Sequence, residues 1–371
     1  MNENLRGGEE RRSFPSGDRD PSSGALGPQP LLTSTEAAEL LDVHPSTVKR
    51  WCNRGALPHS VTPGGHRRIR LTSVTEFARA SGIPTILSTF HPYEAHAWDA
   101  LSRARDDGDF QPLHALAMGW IDRGRLDRVV RLFEALAGLP SVSLCCFLDE
   151  ALRGFMVEVG RSWREGLLRV GEEHLISQGM IEVLYGIRER RRREGTSPRS
   201  PSDGEEGRGQ GAGRPPSNPS KGLAVVGSTE ENQHHLGALG VRILLEELGW
   251  EVLYLGPGVP AEEFAVLQRS REAGLVCVSM ASPVTPGSIV RLLGVLAQFY
   301  DRARPYALAL GGDPALDRDD RILEGPFRRV AFFEACAPFH RALEEGWASG
   351  ETGDRKGGEV RGSGTEGDSG S

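Results

Sequence analysis

Residues 222–347 repeat one pattern, a short and almost wholly apolar run followed by an amphipathic stretch of helical period. The apolar runs fall at 223–228, 251–256, 275–281 and 306–310, with a fifth near 328–333. A run without a polar face needs cover on both sides if it is a strand, and the short connections to the next helix favour parallel neighbours. The pattern therefore predicts a parallel sheet with helices packed on both faces, a doubly wound α/β domain.

In such a domain, of flavodoxin-like (Rossmann-type) design, ligands bind in the crevice outside the carboxyl ends of the strands, where adjacent loops diverge. Three short motifs fall at those ends. Asn232-Gln233-His234-His235-Leu236-Gly237 follows the first strand and opens a helical run from Ala238 to Leu248. Ser279 lies late in the third strand, and Gly311-Gly312 ends the fourth. A neutral imidazole ligates transition metals well, and Gly237 would let a bulky planar group approach the backbone. From the residues alone, a solvated loop histidine is the competing reading, and His235 competes with His234 as the ligand.

The remainder of the 371 residues divides by composition. Segments 1–28, 189–221 and 348–371 are rich in Gly, Ser, Pro and charge and hold hardly an aliphatic side chain. They cannot bury enough apolar surface to offset chain entropy, so all three are expected to be disordered. A linker as long as 189–221 is expected to loosen coupling between its neighbours. No apolar run reaches membrane-spanning length and no signal-peptide core is present, so no membrane partner is expected. The five cysteines (52, 145, 146, 277, 336) are odd in number and lack paired CxxC spacing, which points to free thiols in a cytoplasmic protein.

Net charge is −7, yet between His44 and Arg70 there are six Lys or Arg residues and no acid. Within block 29–82, Thr33-Ser-Thr-Glu36 has capping-box spacing and starts a helix through Ala37, Leu40 and Leu41. Pro45 favours the first position of a second helix, and Gly55 stops it. Two short helices and a tight turn make a helix-turn-helix, with Val48 and Trp51 turned to the core. Ser46, Thr47, Lys49 and Arg50 are left to enter a major groove of double-stranded DNA. The following Thr62-Pro-Gly-Gly-His-Arg-Arg-Ile-Arg70 reads as a hairpin wing, where His66, Arg67, Arg68 and Arg70 would meet phosphates or a minor groove.

Block 88–188 has apolar residues at three- and four-residue spacing, predicting helices over 92–107, 110–122, 126–138 and 142–163 and a fifth from Glu172. Such a bundle often does no more than pack or dimerise. Trp163 is followed after nine residues by Glu173-His174, across Gly166 and Gly171. A continuous helix would put Trp163 and His174 about 16 Å apart. The glycines favour a break, with Trp163 ending one helix and Glu173-His174 opening the next. An aromatic plate, a carboxylate and an imidazole then suit one face of a flat cofactor.

Taken together, these motifs resemble known families. The helix-turn-helix with Trp51 and GGHRRI resembles the winged domain of MerR-family regulators. His234, Ser279 and Gly311-Gly312 resemble the Asp-x-His-x-x-Gly, Ser-x-Leu, Gly-Gly series of cobalamin-binding domains, with Asn232 in place of Asp and Ala281 in place of Leu. Trp163-x9-Glu173-His174 resembles the helical cap of CarH- and CarA-type regulators. The resemblance implies a transcription regulator, a repressor and not an enzyme, that assembles as a homo-oligomer, a tetramer on its DNA operator, under control of adenosylcobalamin and light. It implies His234 as the cobalt ligand, oriented by Asn232, with Ser279 on the cofactor's tail nitrogen and Gly311-Gly312 along its nucleotide. It places Trp163, Glu173 and His174 over the upper face. Many light-responsive members carry histidine directly after this tryptophan; this chain has Arg164. A light-independent cobalamin sensor or partner-dependent regulator therefore stays open, as does, more distantly, a corrinoid methyl carrier.

Overall fold

The computed structural model describes residues 30–139, 141–196, 221–230, 235–280, 284–312 and 323–349. The chain divides into two compact units, one running to Ala135 and one from Leu136. The division falls inside the helical stretch expected over 88–188. The segments expected to be disordered at 1–28 and beyond 349 lie outside the described residues.

The first unit starts with β1 (Leu31–Leu32), α1 (Ser34–Leu40), α2 (Pro45–Asn53), β2 (Ser60–Val61), β3 (Arg67–Arg70) and α3 (Leu71–Ser81). The capping box forms: Glu36 N–H donates to Thr33 Oγ1 at 3.2 Å, and Thr33 N–H donates to the Glu36 carboxylate at 2.6 Å. Two orphan amides at the start of α1 are thereby satisfied. Asp42 takes φ +50 in the turn, Gly55 takes φ +71 after α2, and the small antiparallel sheet has the order β1-β3-β2.

Three further helices belong to this unit, α4 (Glu94–Asp106), α5 (Gln111–Ile121) and α6 (Leu126–Ala137), close to the spans the periodicity predicts. Between α3 and α4, Leu87 and Phe90 are fully buried, and Phe90 stacks on Trp120 at 5.6 Å. Arg128 lies over the ring of Tyr93 at 4.8 Å and donates to the His91 carbonyl. From α4, Arg105 reaches Glu39 of α1 at 3.0 Å while its guanidinium lies 5.7 Å from the ring centre of Trp98. Helix α1 and helix α4 are thus joined by charge.

The second unit opens with α7 (Leu144–Cys146), a π-helical stretch Phe147–Leu152 and α8 (Arg153–Arg164), which follow one another without a break. Then come α9 (Val170–Thr196), β4 (Leu223–Thr229), α10 (Leu236–Glu247), β5 (Glu251–Val259), α11 (Ala261–Arg271), β6 (Leu275–Ser279), α12 (Pro286–Gln298), β7 (Ala307–Gly311), β8 (Arg329–Phe333) and α13 (Cys336–Glu344). The five strands are parallel in the order β5-β4-β6-β7-β8. This is the doubly wound arrangement, and its order reverses between β4 and β6. Val225, Val276 and Leu308 from the strands and Phe264 and Leu296 from the helices form the core.

Helix α9 continues to Thr196, past the end at 188 that composition suggests, because its arginines find partners on α10. Arg188 forms a two-point pair with Glu246, at 2.6 and 2.9 Å, and Arg191 pairs with Glu247. Arg242 also donates to Glu246 and lies over the ring of Tyr254. Burial pushes the Glu246 carboxyl up, but the hydrogen bonds from Arg188 and Arg242 outweigh it and hold the group below its ordinary value. Leu148 sits so close to Gly240 of α10 that a Cβ there would lie 2.9 Å from its Cδ2. The expected loosening by the long linker is therefore not what governs this junction: α9 meets the α/β layer directly. All five cysteines carry free thiols. Among the described residues no helix is long and apolar enough to cross a membrane.

Candidate functional site

Each of the two units holds a candidate site of its own. In the first, His44 caps α2: Ser46 N–H donates to His44 Nδ1 at 3.2 Å, with Ser46 Oγ 2.8 Å from the same nitrogen. Pro45 at the first position has no amide to leave unsatisfied. Helix α2 buries Val48 and Cys52, one turn apart, and exposes Ser46, Lys49 and Arg50, with Thr47 half-buried. Trp51 departs from its expected place in the core. It is only half-buried and packs against Phe77 of α3 with ring centres 4.9 Å apart, while Cys52 takes the core position. The period of α2 explains this, since Val48 and Cys52 are i and i+4.

The wing forms as the hairpin β2–β3, with Ser60 opposite Arg68 and Val61 opposite Arg67. Gly65, at φ +78, carries the turn, and Thr62 N–H donates to the His66 carbonyl at 2.9 Å. His66 and Arg70 are exposed, Arg68 is half-buried, and Ile69 is buried under the sheet. Arg67 Nη2 donates to Asn53 Oδ1 at 2.7 Å, which fixes the base of the wing to the end of α2. That tie was not legible in the sequence. The exposed cations of helix and wing therefore sit on elements whose mutual angle is held.

In the second unit the carboxyl ends of the strands come into register, Ser228 opposite Ser279, Ser279 opposite Gly311, and Gly311 opposite Phe333. Gly237, at the start of α10, faces Ser279 across the point where strand order reverses; a Cβ on it would meet Ser279 Oγ at 3.4 Å. A Cβ on Gly312 would lie 2.8 Å from Val284 Cγ2 and 3.1 Å from the Met280 carbonyl, so no larger residue fits without displacement. Ser228 is fully buried, and its Oγ has no hydrogen-bond partner among the described residues. Nothing in the sequence motif pointed to Ser228. Asn232, His234 and Ala281 lie outside the described residues. His235 is the N-cap residue of α10, and its Nδ1 is buried without a partner among the described residues.

The break between α8 and α9 occurs as the glycines suggest. Gly166 turns the chain at φ +74, whereas Gly171 falls inside α9. Trp163 stands in the last turn of α8, 46% exposed, and Glu173 and His174 lie at the start of α9. Glu173 is held by its neighbours: Ser177 Oγ donates to Oε1 and His174 Nδ1 meets Oε2, both at 2.6 Å. Arg164 points to solvent and donates from Nε to the Gly160 carbonyl. Leu167, Val170 and Leu175 are exposed around the same turn at 73%, 56% and 62%, an unusual density of bare apolar side chains beside Trp163.

Residues 31–82 match the family of helix-turn-helix domains. The chain is 27% identical over 249 residues, 61% of its length and 71% of the relative's, to the HTH-type transcriptional repressor CarH of Myxococcus xanthus. This is a helix-turn-helix chain similar to CarH. Among solved structures it overlaps the monomethylamine corrinoid protein of Methanosarcina barkeri with TM-score 0.45 and 18% identity, covering 62% of this chain and 95% of that one. It overlaps a cobalamin-binding protein from Desulfitobacterium hafniense DCB-2 with TM-score 0.30 and 15% identity, covering 67% and 97%. The fold assignment rests on strand order and register rather than on these overlaps. The similarity to CarH spans more than the helix-turn-helix unit, since 249 residues exceed the span of that domain.

Proposed function

We propose that this chain is a DNA-binding transcription regulator, a repressor and not an enzyme, whose assembly and operator binding are set by a bound cobalamin, in its adenosyl form. The observation that carries the reading is the pairing in one chain of a winged helix-turn-helix with a crevice at the reversal of a parallel sheet. A ligand with a polar tail suits that edge: Ser228 Oγ is buried there without a partner among the described residues, and Gly237 brings the start of α10 close to Ser279 Oγ. His234, oriented by Asn232, would ligate cobalt; Ser279 would hold the tail, and Gly311-Gly312 would admit its nucleotide. Trp163, Glu173 and His174 would cover the other face, and Arg164 would stand at its edge. Bound adenosylcobalamin supplies a cobalt–carbon bond that light can break.

On the DNA side, Ser46, Thr47, Lys49 and Arg50 enter the major groove, while His66, Arg67, Arg68 and Arg70 meet the backbone or minor groove. A cofactor promotes assembly only through tighter binding to the assembled state. Linked copies of one wing then hold DNA far more tightly than a single copy. The functional unit is a homo-oligomer, tetrameric on its operator. A second reading, a sensor of cobalamin without light, is favoured by Arg164, whose guanidinium is tied to Gly160.

The test is reconstitution of the full chain with adenosylcobalamin, followed by absorption spectra and size-exclusion profiles in the dark and after green light. Retained cofactor with light-dependent dissociation is expected. Retention with identical profiles selects the light-independent sensor, and no retention overturns the cobalamin reading.

A further inference from the structure

Whereas its neighbour Glu150 is exposed, Asp149 is a carboxylate on the buried side of its helix. It lies in the π-helical stretch Phe147–Leu152 and is 8% exposed. A π-turn inserts one extra residue per turn and so shifts which side chains face a neighbouring element. The side chain so directed meets the N-terminus of α13: Oδ1 accepts from Cys336 N–H at 2.7 Å and Oδ2 accepts from Ala337 N–H at 2.8 Å. Helix α13 has no cap of its own, because its N-cap residue is Ala335, in the extended conformation with φ −147 and ψ 162. Negative charge at a helix start is favoured both by the free amides and by the peptide dipoles. Arg153, one turn along, adds a third bond across the same junction, from Nη1 to the Glu334 carbonyl at 3.3 Å.

The place of this contact gives it a role. Helix α13 follows β8, whose last residue, Phe333, is opposite Gly311 at the carboxyl edge of the sheet. Asp149 and Trp163 belong to the same run of α7, π-helix and α8, about 20 Å apart along it. One end of the run is thus bonded to the strand edge carrying Gly311-Gly312, and the other end bears Trp163. We infer that Asp149 is a positioning residue: capping α13 from a different element, it fixes the helix carrying Trp163 on the sheet edge and so presets the distance a ligand there must span. The fixing itself is independent of any ligand; its consequence for cobalamin rests on the function proposed above.

Two substitutions separate a tether from a simple cap. Asp149→Ala removes both acceptors, and Ala335→Asp added to it returns a cap from within α13's own segment. Hydrogen exchange of the full chain without cofactor should show amides of the first turn of α13 and of Arg153–Trp163 opening about tenfold faster in Asp149→Ala. In the double variant, α13 should return to its original rate while α8 stays fast. If α8 exchanges as in the parent in Asp149→Ala, or recovers together with α13 in the double variant, the tether is refuted. Should Asp149→Ala fail to fold, Asp149→Asn keeps one acceptor oxygen and should show the same pattern at smaller size; parental rates there count equally against it. With adenosylcobalamin as probe, the double variant should bind about tenfold more weakly than the parent. A parent that binds none rejects the proposed function and leaves the exchange result standing.

Discussion

Helices are fastened to their neighbours by different means in the two units. In the first, Arg105 of α4 links to α1 through Glu39 and Glu36, and these partners are 57% and 31% exposed. Its guanidinium is held mainly by a hydrogen bond to Asp106, which together with Glu39 and Glu36 raises its affinity for the proton. In the second, the equivalent work falls to a buried carboxylate on two amides, a leucine seated over a glycine, and arginines paired along α9 and α10. Exposed ion pairs trade one set of solvated contacts for another and are screened by salt. A buried carboxylate with both oxygens bonded has no water to fall back on, so removing it costs far more. The α1–α4 junction is thus one that ionic conditions can weaken and the Asp149 contact is not, while the arginine pairs of α9 and α10 share the character of the first.

Salt should divide the two most widely. If about six cations of each helix-turn-helix unit meet phosphates, operator affinity falls about a thousandfold between 50 and 200 mM salt. Hydrogen-exchange protection of the first turn of α13, where Asp149 holds both amides, should hardly move over the same range. A flat salt dependence of binding would remove the assigned DNA face. Next comes Asp149→Ala, for which unfolding by urea should lose about 3 kcal/mol, the scale of two buried amides left unpaired. A loss below about 0.5 kcal/mol would put this junction in the same class as the first.

Smaller effects test the packing and the charges. Gly240→Val must push Leu148 aside, since even a Cβ comes within 2.9 Å, and should cost about 1–3 kcal/mol. Arg105→Ala should cost about 1 kcal/mol at low salt, with the difference from the parent shrinking in 0.5 M NaCl; a difference indifferent to salt would mean that its stacking on Trp98 matters more than its charge. The smallest change concerns pH. Because Glu246 is held below its ordinary value in the folded protein, its contribution is present above the unfolded carboxylate range and is lost as pH falls through the folded value. As pH falls through the carboxylate range the parent should lose stability that Glu246→Gln does not lose, as read from urea midpoints.

Much of this was legible in the residues. The capping box, Pro45 and Gly55 mark α1 and α2 because each is a local chemical requirement of helix ends. The five strands were visible because a strand buried on both faces must be apolar throughout. Gly166 gave the break before Glu173-His174. What could not be read depends on partners distant in sequence. Trp51 was expected inside, but the core side of α2 is set by the phase of Val48 and Cys52. Arg67 gave no sign of its bond to Asn53, and the extension of α9 depends on Glu246 and Glu247 beyond the linker. The π-helical stretch has no sequence signal of its own. Asp149 gave no sign either: Glu150 stands beside it, and an acid on an amphipathic helix reads as part of its solvated face. Ser228 was hidden for a different reason, since a small hydroxyl in a strand reads as ordinary.

The pairing of α9 with α10 also bears on the stretch between α9 and β4, rich in Gly, Pro and Ser. Arg188 and Arg191 fasten the chain just before that stretch to the helix that follows β4 just after it, so both of its ends are anchored. Closing such a loop costs entropy that grows only with the logarithm of its length, about 0.6 kcal/mol for each doubling. The length of such a connection is therefore nearly neutral for the fold, and insertions and deletions there need not disturb the α9–α10 junction. A stretch of this kind is a place where related chains can differ most in sequence while keeping the same junction.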